Sequence, residues 1–164
     1  MSNEQLFVKM ALSAWDSHVN RLNKLIDQLS DEQFNAETAP GRNSGIYLLG
    51  HLTAVNDAML PLLGLGERMY AQLDVTFIEN PDKSGQVMPS IEALKALWKN
   101  TITNLSTQMN HLTTDEWFTR HLAVSEEDFA REPHRNKLNI ILNRTNHLSY
   151  HLGQLMYLKK DYSE

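Results

Sequence analysis

Residues 146–155 read NHLSYHLGQL, and in them His147 and His151 stand four apart on a strongly helical segment. On a helix, positions i and i+4 lie one above the other on the same face, so both imidazoles project together at the spacing of a metal-ligand pair. Leu138, Ile141, Leu148, Leu152 and Leu155 recur around them at steps built from threes and fours. That period predicts an amphipathic helix with Pro133 in its first turn and an end near Lys160.

Working outward, three more helices emerge. From about Asn3 to Leu29 the apolar stripe is Phe7, Ala11, Trp15, Leu22, Leu25 and Leu29, with His18 in the same stripe. Ser30 with Gln33 reads as a capping box opening a short extra turn, and APGRNSG over 39–45 then breaks the pattern. Ser44 is the expected N-cap of a second long helix carrying Leu48, His51, Leu52, Val55, Met59 and Leu62, kinked by Pro61 and ended by Gly64 and Gly66. Residues 65–89 show no sustained period, and a connection of that length is usually functional or a crossover. Ser90 caps the third long helix, with the stripe Leu94, Trp98, Thr101, Leu105 and Leu112. TDEWF from Thr114 echoes SDEQF after the first helix, and an acidic loop over about 119–132 precedes the last.

Four striped helices can bury their apolar faces only against one another, so the fold class is all-α, a four-helix bundle, with residues 1–164 forming a single domain. At about 1.5 Å per residue, His51 lies roughly 10 Å from the start of the second helix, and His147 and His151 roughly 13 to 20 Å from the end of the last. They come level when those two helices run antiparallel. The long 65–89 connection permits this by returning the chain along the bundle, which gives an up-down-down-up order with a crossover between the second and third long helices.

Composition narrows the function. The 7 Gly and 5 Pro are too few for a turn-rich all-β protein, and a formal charge of -5 disfavours nucleic acid and anionic membranes as partners. With no cysteine there is no disulfide framework, no Cys-zinc site and no protein thiol nucleophile, so thiol chemistry would need a thiol brought in by a cosubstrate. The start, MSNEQLFVKM, lacks a secretory pattern and no apolar run approaches membrane-spanning length, which leaves a cytoplasmic protein as the expectation.

His51, His147 and His151 are the candidate metal ligands, because three neutral imidazoles leave coordination positions open as catalytic sites do. The level-matching places His18, Trp98 and Thr101 on the opposite wall of a pocket rimmed by loops 36–43 and 80–89. For His18 a wall or supporting role outweighs ligation, and Trp15 and Trp98 read first as core. Gln154 can orient a ligand or simply be solvated. Arg144, three residues before His147, can hold the carboxylate of an anionic substrate or lie along the surface. Gly153 signals either close backbone packing or a tolerated cost of about 1 kcal/mol. His111 suits a helix C-terminus, and His121 and His134 suit exposed loops. Leu148 follows His147 where a zincin motif has its glutamate, so protease chemistry is disfavoured. What remains is an open site able to activate a bound water or thiol.

PGRNSGIYLLGHL, with His51, and HLSYHLGQL, with His147 and His151, together resemble the DinB-like, or YfiT-like, metal-binding four-helix bundles over nearly the whole chain. The resemblance implies an up-down-down-up fold, frequent homodimers and a divalent metal, zinc or nickel, on the three matched histidines. It further implies a transferase in which that metal activates a low-molecular-weight thiol (bacillithiol, mycothiol or glutathione) for attack on an electrophile. The alternatives are a metal-dependent hydrolase and a non-enzymatic, stress-linked metal-binding bundle, so enzymatic activity stays open. The catalytic residues stay unassigned, and the expected partners are a small thiol, an electrophile and a second copy of the chain.

Overall fold

The computed structural model describes residues 1–159. Four long helical segments form the bundle: α1 (Asn3–Gln28), α3 (Gly45–Asp57), α6 (Ile91–Met109) and α9 (Lys137–Met156). Shorter helices lie between them: α2 (Asp31–Asn35), α4 (Met59–Leu63), α5 (Leu73–Phe77), α7 (Thr114–Trp117) and α8 (Glu126–Arg131). The end of α9 at Met156 precedes Lys160, which lies outside the described residues.

The cap chemistry read from the sequence sets the helix starts. Ser30 and Gln33 form the expected reciprocal box, Ser44 accepts from the Tyr47 amide, and Ser90 accepts from the Ala93 amide. Thr113 and Glu116 form a further box ahead of α7, one residue before the echoed TDEWF. Ahead of Pro61 the helix is interrupted over one residue, Ala58, which keeps helical dihedrals at φ -66° and ψ -13°. The proline ring opposes the carbonyl four residues back, at Asp57, where α3 ends, and α4 then ends on Gly64 in the left-handed region at φ 70°.

Three expectations are corrected. Pro133 does not open the last helix: Asn136 is the N-cap, its Oδ1 accepting from the Asn139 amide at 2.9 Å, because its side-chain oxygen satisfies a helix-start amide and a proline side chain has no acceptor to do so. The acidic loop contains α8, capped by Ser125. Phe7 is exposed, since the buried line of α1 runs through Val8, Ala11, Trp15, Val19 and Leu22.

Helix α3 is buried on nearly every side, packed by α6, α9 and the short α5. This contradicts the reading that no apolar run reaches membrane length: Gly45–Leu63, 19 residues long, passes by length and composition, with mean hydropathy 1.3 over an 18-residue window. It is, however, 72% buried inside the bundle, which is compatible with the central helix of a soluble protein. Of its buried polar side chains, Thr53 and Asn56 donate to the Leu49 and Leu52 carbonyls, while Asn56 Oδ1 has no partner among the described residues.

The helix directions follow from the contacts at each end. A Cβ at Gly45 would lie 2.5 Å from Leu158 and 3.0 Å from the Phe34 carbonyl, and Lys95 sits 4.9 Å over the Phe34 ring. The end of α9, the turn after α1 and the starts of α3 and α6 therefore meet at one end. At the other end the Leu122 amide, on the way to α9, donates to the Leu62 carbonyl. The order is up-down-down-up, with α3 and α6 parallel.

The crossover is tied down at both ends. Asp57, fully buried, accepts from Arg68 Nε at 3.1 Å and from the Met69 and Tyr70 amides, while Arg68 also pairs with Asp74. The chain then climbs beside α3 through α5. At the top, Asp82 accepts from the Ser44 amide at 2.7 Å and Lys83 pairs with Glu37. The two loops predicted to rim a mouth are thereby joined to each other.

Candidate metal centre

Three imidazoles converge between α3 and α9. His51 Nε2 lies 3.2 Å from His147 Nε2, and His151 Nε2 lies 3.1 Å from the same atom. The three rings stand edge to face, with centroids 4.5 to 5.2 Å apart. Both the antiparallel direction of α3 and α9 and the four-residue step within α9 are needed to bring these atoms together.

The other ring nitrogens fix the tautomers. His51 Nδ1 is 2.8 Å from the Phe77 carbonyl, which can only accept, so Nδ1 carries the proton and Nε2 presents a lone pair. His151 Nδ1 is 2.7 Å from Gln154 Oε1, while Gln154 Nε2 donates to the Tyr150 hydroxyl, so His151 Nε2 is likewise a lone pair. Neutral His147 has a single N–H to offer, and that proton can reach only one of its two neighbours at a time. Two or three lone pairs thus face one another at close range, an arrangement that a cation relieves.

The spacing fits. Ligands about 2.05 Å from a tetrahedral zinc lie about 3.3 Å from each other, close to the observed separations. Among the described residues, His51, His147 and His151 form the one histidine, cysteine or carboxylate group able to hold a metal ion. Burial, then the charges of His151, His51 and Arg144, pushes His147 from its ordinary 6.5 down to about 4. His151 is also lowered, burial outweighing the Gln154 hydrogen bond. Both rings therefore stay neutral, as ligation requires.

Outside the triad, the structure brings some predicted residues to the site and sends others elsewhere. Gln154 stands behind His151 and holds it. Arg144 is close enough for its charge to act on His147. His18 instead turns its Nδ1 to the Ala14 carbonyl at 2.8 Å and lines a groove between α1 and α9 with Arg21, Ser149 and Met156. Trp98 is buried in the seam between α6 and α1, where its Nε1 donates to Asn23 Oδ1 at 2.8 Å. Thr101 is fully buried, and its hydroxyl has no partner among the described residues. His18 and Trp98 do not share a wall with the triad, because matching heights along a bundle leaves each helix's rotation about its own axis undetermined.

Two smaller readings also change. His121 is buried rather than exposed, whereas His111 and His134 are exposed. A Cβ at Gly153 would meet nothing within 4 Å, so the close-packing reading fails and the tolerated cost remains. The sequence reading missed the Phe77 carbonyl, Tyr47, which stacks on His51 at 6.4 Å, and Tyr150, edge-on to His151 at 5.0 Å. Tyr47 and Tyr150 were within reach, at i−4 and i−1 of ligands. A backbone carbonyl leaves no mark in a sequence.

These features define a helical bundle with a three-histidine site suited to a metal. The sequence model of the DinB superfamily matches residues 14–155, and the chain belongs to that superfamily. No curated protein matches the chain.

Proposed function

We propose that this protein is a cytoplasmic metal-dependent transferase in which His51, His147 and His151 hold a divalent ion, zinc or nickel, and a low-molecular-weight thiol is activated for attack on an electrophile. The observation that carries the reading is the convergence of three Nε2 atoms with two of the opposing nitrogens tethered. A divalent ion there supplies a Lewis acid that lowers the pKa of a thiol entering an open position.

The protein's own contribution is orientation. Phe77 and Gln154 hold two rings in the ligating tautomer, and Tyr47 and Tyr150 wall the sides. The chain brings neither a cysteine to act as nucleophile nor, among the described residues, a carboxylate within the triad to act as base. A thiol from a cosubstrate fills the first role without needing the second, since its proton is lost readily once its pKa falls. The superfamily resemblance also supports a homodimer as the working assembly.

The test is turnover of a generic electrophile by metal-loaded protein with added 2-mercaptoethanol, alongside a cobalt-substituted sample titrated with the same thiol and its S-methyl ether. Reaction with the electrophile and a spectral shift with the free thiol alone are expected. Hydrolysis of activated esters without thiol, and no thiol response, would favour a hydrolase. No response of either kind would favour a metal-binding bundle without catalysis.

A further inference from the structure

Arg144 stands three residues before His147 and seven before His151, so all three lie on one stripe of α9. Its side chain is partly withdrawn from solvent, and no carboxylate among the described residues pairs with it. Arg68, Arg120, Arg131 and Arg135 each have an acidic partner. Arg21 and Arg42 lack one but are exposed, where water suffices. Among the arginines, Arg144 alone combines partial withdrawal from water with the lack of a counter-charge, a combination that is costly unless an anion completes it. Burial accordingly lowers its pKa, and its charge depresses that of His147.

The triad has the same deficit. Three neutral imidazoles do not offset a divalent charge, and no acidic group among the described residues joins them. A metal on the triad and the guanidinium of Arg144, three residues before His147 on the same stripe, would make two cationic groups without an anion between them.

We propose that Arg144 is an anion anchor, and that the molecule bound at the triad is two-headed: one group meets the metal and a carboxylate, roughly one helical turn away, is gripped by the guanidinium. This rests on the metal-site reading above and deepens it by naming the substrate class. The planar guanidinium presents paired N–H donors that match a carboxylate, which an ammonium cannot reproduce.

The test uses untagged, cobalt-loaded protein and two probe pairs, succinate against acetate and 3-mercaptopropionate against 2-mercaptoethanol, with dissociation constants read from the cobalt absorption. The wild type should prefer each two-headed probe by about tenfold or more, as expected for a charge-assisted pair. Arg144→Gln should abolish that preference while cobalt content at saturating metal and the acetate and mercaptoethanol constants change far less. Arg144→Lys, which keeps the charge and loses the fork, should retain part of it and guards against a folding defect in the first variant. Equal binding of both members of each pair by the wild type, or a preference that survives in Arg144→Gln, overturns the anchor. If neither thiol shifts the spectrum but succinate is still preferred through Arg144, the thiol reading fails and the anchor stands. If thiols bind without regard to their carboxylate, the reverse holds. A chain that takes up no cobalt overturns both.

Discussion

The carbonyl of Phe77 accepts the Nδ1–H of His51 at 2.8 Å, and the ring of the same Phe77 fills the space that a side chain at Gly50 would need. The crossover thus reaches the histidine cluster through one residue. Its main chain fixes the ligand's tautomer, and its fully buried side chain locks against the helix that carries the ligand.

Gly50→Ala is therefore expected to damage both fold and site. The new Cβ would meet three Phe77 ring atoms at 2.3 to 2.5 Å, and overpacking of this kind costs about 1 to 3 kcal/mol. Denaturant unfolding should show that loss. A metal titration of the folded variant should show weaker binding where displacement of the fully buried ring carries the Phe77 carbonyl away from His51. Unchanged stability would mean that Phe77 is not seated there.

Gln154→Ala removes the acceptor that aims His151. Loss of such a supporting hydrogen bond lowers metal affinity roughly tenfold to a hundredfold, which competition with a chromogenic chelator would measure. Gln154→Glu, which keeps an acceptor at the same reach, should bind metal at least as tightly as the wild type.

Stability of the metal-free protein should depend on pH through His147. Its folded pKa of about 4 lies below the unfolded 6.5, so between these values the unfolded chain binds more protons and stability falls as pH falls. Denaturation midpoints should drop across that window, and the drop should be smaller in His147→Gln. An identical slope in His147→Gln would remove this residue from the account.

The triad was legible in the sequence because a four-residue step on a helix fixes two rings to one face whatever packs around them. The antiparallel match of His51 was legible because rise per residue is constant. Rotation about the helix axis is not written in that arithmetic, which is why His18 and Trp98 proved to lie in other seams. Pro133 misled for a different reason. A proline is tolerated in a first turn without being required there, whereas the Asn136 side chain makes a specific bond. The seat of Phe77 against Gly50 joins residues 27 apart in the chain, and no local pattern announces it.

Gly153 supplies the contrasting case. It lies mid-helix with open space around it, so Gly153→Ala should stabilise the protein by up to about 1 kcal/mol and leave metal content unchanged, as thermal unfolding and elemental analysis would show. A loss of stability would mean that α1 approaches it more closely than the structure shows.

The most direct test is the metal content of untagged protein carrying single alanine changes at His51, His147 and His151, with exposed His134→Ala as the control. The account expects stoichiometric metal in the wild type and the control, and loss of most of it in each of the three variants. Full retention in His151→Ala, or a wild type that binds no divalent ion, would contradict it.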